Sequence, residues 1–300
     1  MSTARAKTIV VNSFDAELSV TYYENKDKPT LLFLHGFPDC QQTWDHQVKG
    51  LQKDYAIITF DMRGVAHSTW SGRKNGFHMS FLLEDIERVI DATVGNTAKV
   101  HLIGHDWGSV IGWSFISEPN YSKRVLSYTS VSGPHLGLML DWIKRSLLSK
   151  SANRIGSAFR QAALSWYVYL FNIPVLPELL FKTIGKPVWK TALTLNGVNK
   201  ADEYLHKTKK QISEICINSI NLYRQNPLSP PAVPTKNSID VPVQLIIPNQ
   251  DRFVSENLFE HYEEYVVDLT KKTIAGKHWV HHSHSFMINS LISNFIQTKP

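Results

Sequence analysis

The stretch 100-VHLIGHDWGSVIGW-113 is the most informative part of this chain of 300 residues. Its first four residues are an apolar run that predicts a buried strand, and the residues from Trp107 onward have helical character. Gly104 and Gly108 flank Asp106, and small residues there permit a sharp turn that strains the central residue and projects its side chain. The stretch therefore predicts a strand, a tight turn carrying a carboxylate, and a helix.

The residue type at the centre of this turn selects the chemistry. Serine at such a turn is typical of esterases and lipases. A carboxylate instead attacks saturated carbon without prior removal of a proton, and it leaves an alkyl ester that water must cleave. The same residues could also form an ordinary surface turn, so the interpretation depends on partners elsewhere in the chain.

Short apolar runs and amphipathic segments alternate along the chain. Strands are predicted at residues 7–12, 18–23, 30–34, 56–60, 99–103, 125–130 and 241–247. Helices are predicted at residues 42–51, 80–93, 107–117, 256–265 and 286–296. This alternation is typical of an α/β fold with a mostly parallel sheet flanked by helices.

The middle of the chain departs from this alternation. Residues 134–235 are helical in character, with aromatics and prolines, for example at 141–150 and 155–170. We therefore expect a core formed by residues 1–133 and 236–300, with an inserted helical lid at 134–235. Ligands of open parallel sheets bind beyond the carboxyl ends of the strands, where such a lid would cover them.

The composition favours a globular protein of the cytoplasm. Hydrophobic residues make up 43% and charged residues 19% of the chain, which argues against disorder. No segment resembles a signal peptide or approaches the roughly 20 apolar residues of a membrane span, so no stable membrane insertion is expected. Cys40 and Cys216 lack paired spacing, so we expect two reduced thiols.

The net charge of +6 is concentrated in the predicted lid. That segment holds 13 Lys and Arg against 5 Asp and Glu, a net charge of +8. The positive residues form neither a dense run nor an aromatic-interleaved pattern, so no nucleic-acid partner is expected. A solvated helical surface explains the charge, and attraction of an acidic ligand or a membrane surface is the alternative.

Four further motifs follow the order found in one large family. They are 33-FLHGFP-38, 61-DMRG-64, 248-PNQD-251 and 275-AGKHW-279. With the aspartate turn, they make the whole chain resemble the α/β-hydrolase superfamily and, within it, the epoxide hydrolases. The chain also resembles the hydrolase part of bacterial proteins that fuse this fold to a short-chain dehydrogenase. It departs from the family at Ala66 and in the loop before Asp251, where glycines are usual.

The resemblance implies a role for each motif. Asp106 would be the nucleophile, His278 the base and Asp251 the acid that orients it, in the chain order of this fold. The backbone N–H groups of Phe37 and Trp107 would form an oxyanion hole. We expect no cofactor.

Three further histidines crowd the loop that contains the predicted base. They are His281, His282 and His284. One of them could be the base, or the cluster could bind a metal, but companion carboxylates or cysteines at ligand spacing are missing from the loop. We therefore expect no metal site.

Two aromatic segments of the lid complete the resemblance. The segments 166-WYVYLFNIP-174 and 221-NLYR-224 resemble those that carry the paired tyrosines of epoxide hydrolases, which selects Tyr167 over Tyr169, and Tyr223. Each tyrosine alone is equally explained as a core aromatic. Together they imply phenols that hold an epoxide oxygen, with Phe37 and Trp107 completing the substrate-binding set.

The implied function is hydrolysis of a small lipophilic epoxide to a vicinal diol through an aspartyl ester. A haloalkane dehalogenase is the nearest alternative, because Trp107 could bind a departing halide. A hydrolase-like receptor that binds without turnover is another. The cationic lid suggests a substrate with an acidic end, and a homodimer is possible.

Overall fold

A mixed, mostly parallel sheet forms the centre of the computed structural model, which describes residues 5–227 and 229–299. Its strands are β1 (Arg5–Ser13), β2 (Ala16–Glu24), β3 (Thr30–Leu34), β4 (Ala56–Phe60), β5 (Val100–His105), β6 (Val125–Val131), β7 (Val243–Pro248) and β8 (Leu269–Ile274). Their order across the sheet is β1-β2-β4-β3-β5-β6-β7-β8. β1 and β2 pair antiparallel, and β3 to β8 run parallel to one another.

Helices cover both faces of the sheet. In chain order they are α1 (Asp45–Leu51), α2 (Met79–Val94), α3 (Trp107–Ser117), α4 (Pro119–Ser122), α5 (Leu136–Leu147), α6 (Ala152–Leu164), α7 (Trp166–Phe171), α8 (Leu176–Leu195), α9 (Lys209–Ser219), α10 (Asn221–Gln225), α11 (Val280–Ser283) and α12 (Ser285–Gln297). Leu31 and Phe33 of β3 pack in the cluster that contains α1 and α12, whereas Leu32 and Leu34 pack in the cluster that contains α2 and α3. This alternation makes the central strands apolar on both faces, as the sequence predicts.

The chain between β6 and β7 forms the helices α5 to α10. This insertion follows β6 at the carboxyl edge of the parallel strands, which is the edge where β5 ends and α3 begins. The predicted fold class, a mostly parallel sheet flanked by helices, is confirmed. Within the described part of the chain, no helix combines the length and the apolar character needed to cross a membrane.

One secondary-structure prediction was wrong, and one strand was not predicted. The helix predicted at residues 256–265 is a pair of 3-10 turns, Glu256–Phe259 and Tyr262–Glu264, because His261 between them adopts a left-handed conformation with φ of 64°. The strand β8 (Leu269–Ile274) was not predicted. It is the edge strand of the sheet, and its Lys271, Lys272 and Thr273 are exposed, so it has no apolar run to reveal it.

Candidate active site

Asp106 lies in the tight turn between β5 and α3. Its backbone angles, φ of 53° and ψ of −121°, are strained for a residue other than glycine. A Cβ atom at Gly104 would lie 2.5 Å from the carbonyl oxygen of Gly108, and one at Gly108 would collide with the carbonyl oxygen of Leu34. The two glycines are therefore required for this turn to pack against β3.

The two carboxylate oxygens of Asp106 have different neighbours. Oδ1 accepts a hydrogen bond of 2.7 Å from the backbone N–H of Phe37, and Oδ2 lies 3.5 Å from Nε2 of His278. Trp107 is the first residue of α3, so its N–H has no acceptor within the helix. A Cβ atom at Gly36 would collide with Oδ1, which explains the glycine before Phe37.

His278 and Asp251 form a buried pair on the other side of the turn. Nδ1–H of His278 donates to Oδ2 of Asp251 at 2.7 Å, which leaves Nε2 facing Asp106. The second oxygen of Asp251 accepts the N–H groups of Phe253 at 2.7 Å and Val254 at 3.1 Å. These backbone bonds fix the carboxylate, and the carboxylate in turn fixes the imidazole ring.

The charge state of His278 is set by its two carboxylate neighbours. Burial alone would lower its pKa, but the negative charges and hydrogen bonds of Asp251 and Asp106 raise the pKa to about 10. At neutral pH the imidazole is therefore protonated, and it forms an ion pair with both carboxylates.

Two residues that the sequence analysis did not assign to the site hold the loop of His278. The carbonyl oxygen of His278 accepts Nε2–H of His105 at 3.0 Å and Oγ–H of Ser132 at 3.2 Å. Burial lowers the pKa of His105 to about 3, so its ring is neutral. No pattern in the sequence indicated this role, because His105 and Ser132 bind the backbone carbonyl oxygen of His278, which is more than 100 residues away in the chain.

The three neighbouring histidines do not compete with His278 for Asp106. The ring nitrogen Nε2 of His281 bonds to Thr43, His282 contacts Thr43 and Asp202, and His284 is exposed. None of these contacts involves Asp106. The geometry therefore brings His278, and not its neighbours, to the aspartate turn.

The two predicted tyrosines lie side by side above the turn. Their ring centroids are 5.7 Å apart, and the ring of Tyr223 also packs against Trp107 at 5.1 Å and Phe37 at 5.2 Å. Tyr169, the alternative in the first segment, is 69% exposed. Burial and then the charge of Asp106 raise the pKa of both Tyr167 and Tyr223, so both phenols remain protonated and can donate.

The segments that carry the tyrosines are tied together. Arg224 donates from Nε to the carbonyl oxygen of Phe171 at 2.7 Å and pairs with Glu178 at 2.6 Å. Asn172 donates from Nδ2 to the carbonyl oxygen of Tyr223 at 3.4 Å. These contacts join α7, α8 and α10, so the two phenols keep a fixed separation.

A cavity of about 210 Å³ connects these groups. Asp106, His278, Tyr167, Tyr223 and Phe37 line it, and Trp107 does not. Most of its other walls are apolar lid side chains, among them Leu170, Phe171, Leu180, Phe181 and Val188, and Pro38, Phe253 and Trp279 contribute from outside the lid. No lysine or arginine of the described chain lines the cavity, so the positive charge of residues 134–235 lies elsewhere.

Comparison with known proteins places the chain in a family. The family model of the alpha/beta hydrolase fold matches residues 29–285. "Probable oxidoreductase EphD" of Mycobacterium tuberculosis is 30% identical over 95% of this chain and 49% of its own length. The chain thus spans about half the length of this curated relative. "Epoxide hydrolase 4" of Mus musculus is 26% identical over 91% of this chain and 74% of that protein.

Solved structures share the fold over nearly the whole chain. A structure described as "Novel epoxide hydrolases belonging to the alpha/beta hydrolases superfamily in metagenomes from hot environments" matches with a TM-score of 0.76 and 22% identity, covering 98% of this chain and 99% of that one. The epoxide hydrolase of Bacillus megaterium in complex with an inhibitor matches with a TM-score of 0.70 and 24% identity, covering 97% and 100%. At these identities the likeness shows the fold.

The predicted resemblance to the α/β-hydrolase superfamily is confirmed by these matches, and epoxide hydrolases are among the relatives. The chain belongs to the α/β-hydrolase superfamily.

Proposed function

We propose that this protein is an epoxide hydrolase that converts a lipophilic epoxide and water to a vicinal diol, without a cofactor. One observation carries the proposal: an elbow aspartate, a histidine paired with a second carboxylate, and two protonated tyrosines share one apolar cavity. This set supplies a nucleophile, a base and two donors for an alkoxide. Relatives named epoxide hydrolases add support.

In the first step, Tyr167 and Tyr223 donate hydrogen bonds to the epoxide oxygen. Oδ2 of Asp106 attacks a ring carbon from the opposite side, the ring C–O bond breaks, and the alkoxide takes a proton from one tyrosine. The product is a hydroxyalkyl ester on Asp106. The phenols suit this role because burial and the charge of Asp106 raise their pKa, so they stay protonated and donate strongly only as negative charge develops on the substrate.

The proton balance of the cycle runs through His278. Ester formation removes the negative charge of Asp106, which is one of the two charges that raise the pKa of His278. Because its pKa is now lower, the imidazolium of His278 transfers a proton to the tyrosinate. Nε2 is then unprotonated and can act as a base. The first step thus prepares the base for the second step.

In the second step, Nε2 of His278 removes a proton from water, and the resulting hydroxide attacks the ester carbonyl. The negative charge that develops on Oδ1 is stabilised by the N–H groups of Phe37 and Trp107. The ester C–O bond breaks, and the new carboxyl group gives its proton to the leaving alkoxide. Diol is released, and Asp106 and His278 return to their starting charges.

The walls of the cavity favour an apolar substrate. They contain aromatic and aliphatic residues and, in the described part of the chain, no lysine or arginine, and His278, the one basic group among them, is already paired with Asp106 and Asp251. The acidic substrate end suggested by the lid charge therefore has no partner inside this cavity. We expect a fatty-acid epoxide to be converted no better than its methyl ester.

A diol assay tests the proposal. The purified protein is incubated with styrene-type and fatty-acid epoxides, with Asp106→Asn as the inactive variant and the exposed Asp54→Asn as the matched control. Diol from the parent protein and from Asp54→Asn, but not from Asp106→Asn, is expected. Halide release from a terminal haloalkane without any diol would reassign the protein to the dehalogenases, and saturable binding without turnover would reassign it to the receptors.

A further inference from the structure

A second cluster of ionisable side chains joins the inserted helices to the core, separate from the cavity of Asp106. It consists of His46 in α1, Asp202 before the 3-10 turn Glu203–His206, and His282 in α11. Oδ2 of Asp202 lies 2.9 Å from Nε2 of His46 and 3.1 Å from Nδ1 of His282. Three potential ligand atoms from three separate segments therefore converge on one point.

The neighbours of the cluster hold these atoms in place. Nε2 of His282 bonds to Oγ1 of Thr43 at 2.9 Å, and the ring of His282 packs on that of Tyr204 with centroids 5.0 Å apart. Oδ1 of Asp202 accepts the N–H of Tyr204 at 3.0 Å. Metal-binding histidines and carboxylates characteristically have their second polar atom bound in this way, which fixes the tautomer and the orientation of the ligand.

The geometry is compatible with a small divalent ion. Two ligands of a tetrahedral ion with bonds of about 2.0 Å are roughly 3.3 Å apart. The two nitrogen–oxygen separations of 2.9 and 3.1 Å are slightly shorter, and all three atoms lie within 4.8 Å of one another. Small movements of the rings would bring the three atoms to bonding distance.

An open pocket adjoins the cluster on its solvent side. Its volume is about 370 Å³, and the charged residues that line it beside the three are Asp45, Glu203 and Lys49, two acidic and one basic. The side chain of His282 is 1% exposed and that of Asp202 9%, whereas that of His46 is 38% exposed. An ion could thus enter from solvent, and water in the pocket could supply the remaining coordination position.

We propose that Nε2 of His46, Oδ2 of Asp202 and Nδ1 of His282 bind a divalent transition-metal ion of the zinc type. Two imidazoles and one carboxylate suit Zn²⁺, whereas Mg²⁺ and Ca²⁺ prefer oxygen ligands alone. The ion would link the inserted segment to the core and to the loop that contains His278, four residues before His282. Its role is to stabilise this junction, and it takes no part in the reaction at Asp106.

This proposal differs from the expectation that the chain has no metal site. Of the three crowded histidines in the catalytic loop, only His282 belongs to the proposed site. The other two ligands are 236 and 80 residues away in sequence, so no spacing motif could reveal them. In the alternative explanation, His46 and His282 only donate hydrogen bonds to Asp202 and no ion binds.

Metal binding is measured on protein whose purification tag has been removed. Parent, His46→Ala, Asp202→Asn and the control His206→Ala, which changes an exposed histidine outside the cluster, are dialysed to equilibrium against Zn²⁺ and analysed for bound metal. We expect one tightly bound ion in the parent and in the control. His46→Ala should weaken binding more than about 100-fold, because loss of an outer-shell partner alone costs about 10- to 100-fold. Absence of bound ion, or equal retention in all four proteins, would overturn the proposal.

Thermal unfolding with and without Zn²⁺ gives a second readout. An ion that binds the folded state raises the melting temperature of the parent and of His206→Ala. The melting temperature of His46→Ala should not respond to Zn²⁺. Its melting temperature in the presence of a chelator serves as the folding control, and it should match that of the parent because the side chain of His46 is 38% exposed. Equal responses of parent and His46→Ala would contradict the site, whatever the outcome of the diol assay.

Discussion

The backbone N–H of Phe37 donates a 2.7 Å hydrogen bond to Oδ1 of Asp106. This contact distinguishes the two oxygens of the proposed nucleophile. Oδ1 is held where the ester carbonyl oxygen would be, and Oδ2, 3.5 Å from His278, remains to attack. In serine hydrolases the corresponding N–H group donates a hydrogen bond to an oxygen of the substrate. Here the N–H group of Phe37 donates to an oxygen of the enzyme itself, so this hydrogen bond exists before the reaction begins.

Replacement of His278 should separate the two chemical steps. In His278→Gln the ester still forms, but no base activates water, so turnover should fall by about 10²- to 10⁴-fold, the usual contribution of a general base. Intact-protein mass spectrometry should then detect enzyme increased by the mass of the epoxide. His284→Gln, which alters an exposed histidine of the same loop, is the control. Rapid turnover by His278→Gln would remove His278 from its proposed role.

Replacement of the tyrosines should slow ester formation. Tyr167→Phe and Tyr223→Phe each remove one donor to the developing alkoxide, so each should lower the alkylation rate about 10- to 100-fold, as expected for the loss of a hydrogen bond to a charged group. Stopped-flow fluorescence in single turnovers measures this step. Tyr169→Phe, at a position 69% exposed, should leave the rate unchanged. Equal rates in all three variants would contradict the role of the pair.

The pKa of His278 should respond to Asp106. The carboxylates of Asp251 and Asp106 raise this pKa to about 10 against the effect of burial. Because a nearby negative charge stabilises the protonated ring, Asp106→Asn should lower the pKa, and Asp251→Asn should lower it further. NMR titration of the His278 ring, assigned by its loss in His278→Gln, measures the shift. An unchanged pKa in Asp106→Asn would contradict the proposed coupling between the two steps.

The motif 61-DMRG-64 should matter for stability. The side chain of Arg63 is completely buried and forms two hydrogen bonds with Asp85, of 2.6 and 2.7 Å, and one with Asp15 of 2.8 Å. Asp85→Asn leaves a buried cation without its main partner and should lower the free energy of unfolding by about 3 kcal/mol. Urea denaturation measures this loss. Glu84→Gln, which alters an exposed pair on the same helix, should cost less than about 1 kcal/mol.

Much of the sheet could be predicted because its strands are buried on both faces. The predicted bounds of β3 and β4 coincide with the observed ones, since every position from Ala56 to Phe60 is buried and apolar or small. The edge strand β8 has no buried residue: its ends are half-buried, and its centre, Lys271 to Thr273, is exposed and polar. The helix predicted at 256–265 is interrupted by His261, whose backbone is left-handed. Sequence periodicity does not reveal a left-handed conformation at a single residue.

The candidate site could also be predicted only in part. Motifs along the chain pointed to Asp106, Asp251 and His278 because each follows a strand, whereas Tyr167 and Tyr223 lie in helices and were selected only by the resemblance to a known family. The contacts that hold those groups were not predictable. Ser132 and His105 bind the carbonyl oxygen of His278, and Arg224 binds that of Phe171, so each acts on backbone that only the fold brings near.

The most direct test of the central claim is the position of labelled oxygen after one turnover. The protein, in excess over a preferred epoxide, is allowed to react once in water enriched in oxygen-18, and the diol and the peptide containing Asp106 are analysed by mass spectrometry. The aspartyl-ester route predicts an unlabelled diol and one heavy oxygen in Asp106, because water attacks the ester carbonyl and the diol keeps oxygen from the enzyme. A labelled diol with unlabelled Asp106 would show that water attacks the epoxide directly, which would contradict the account.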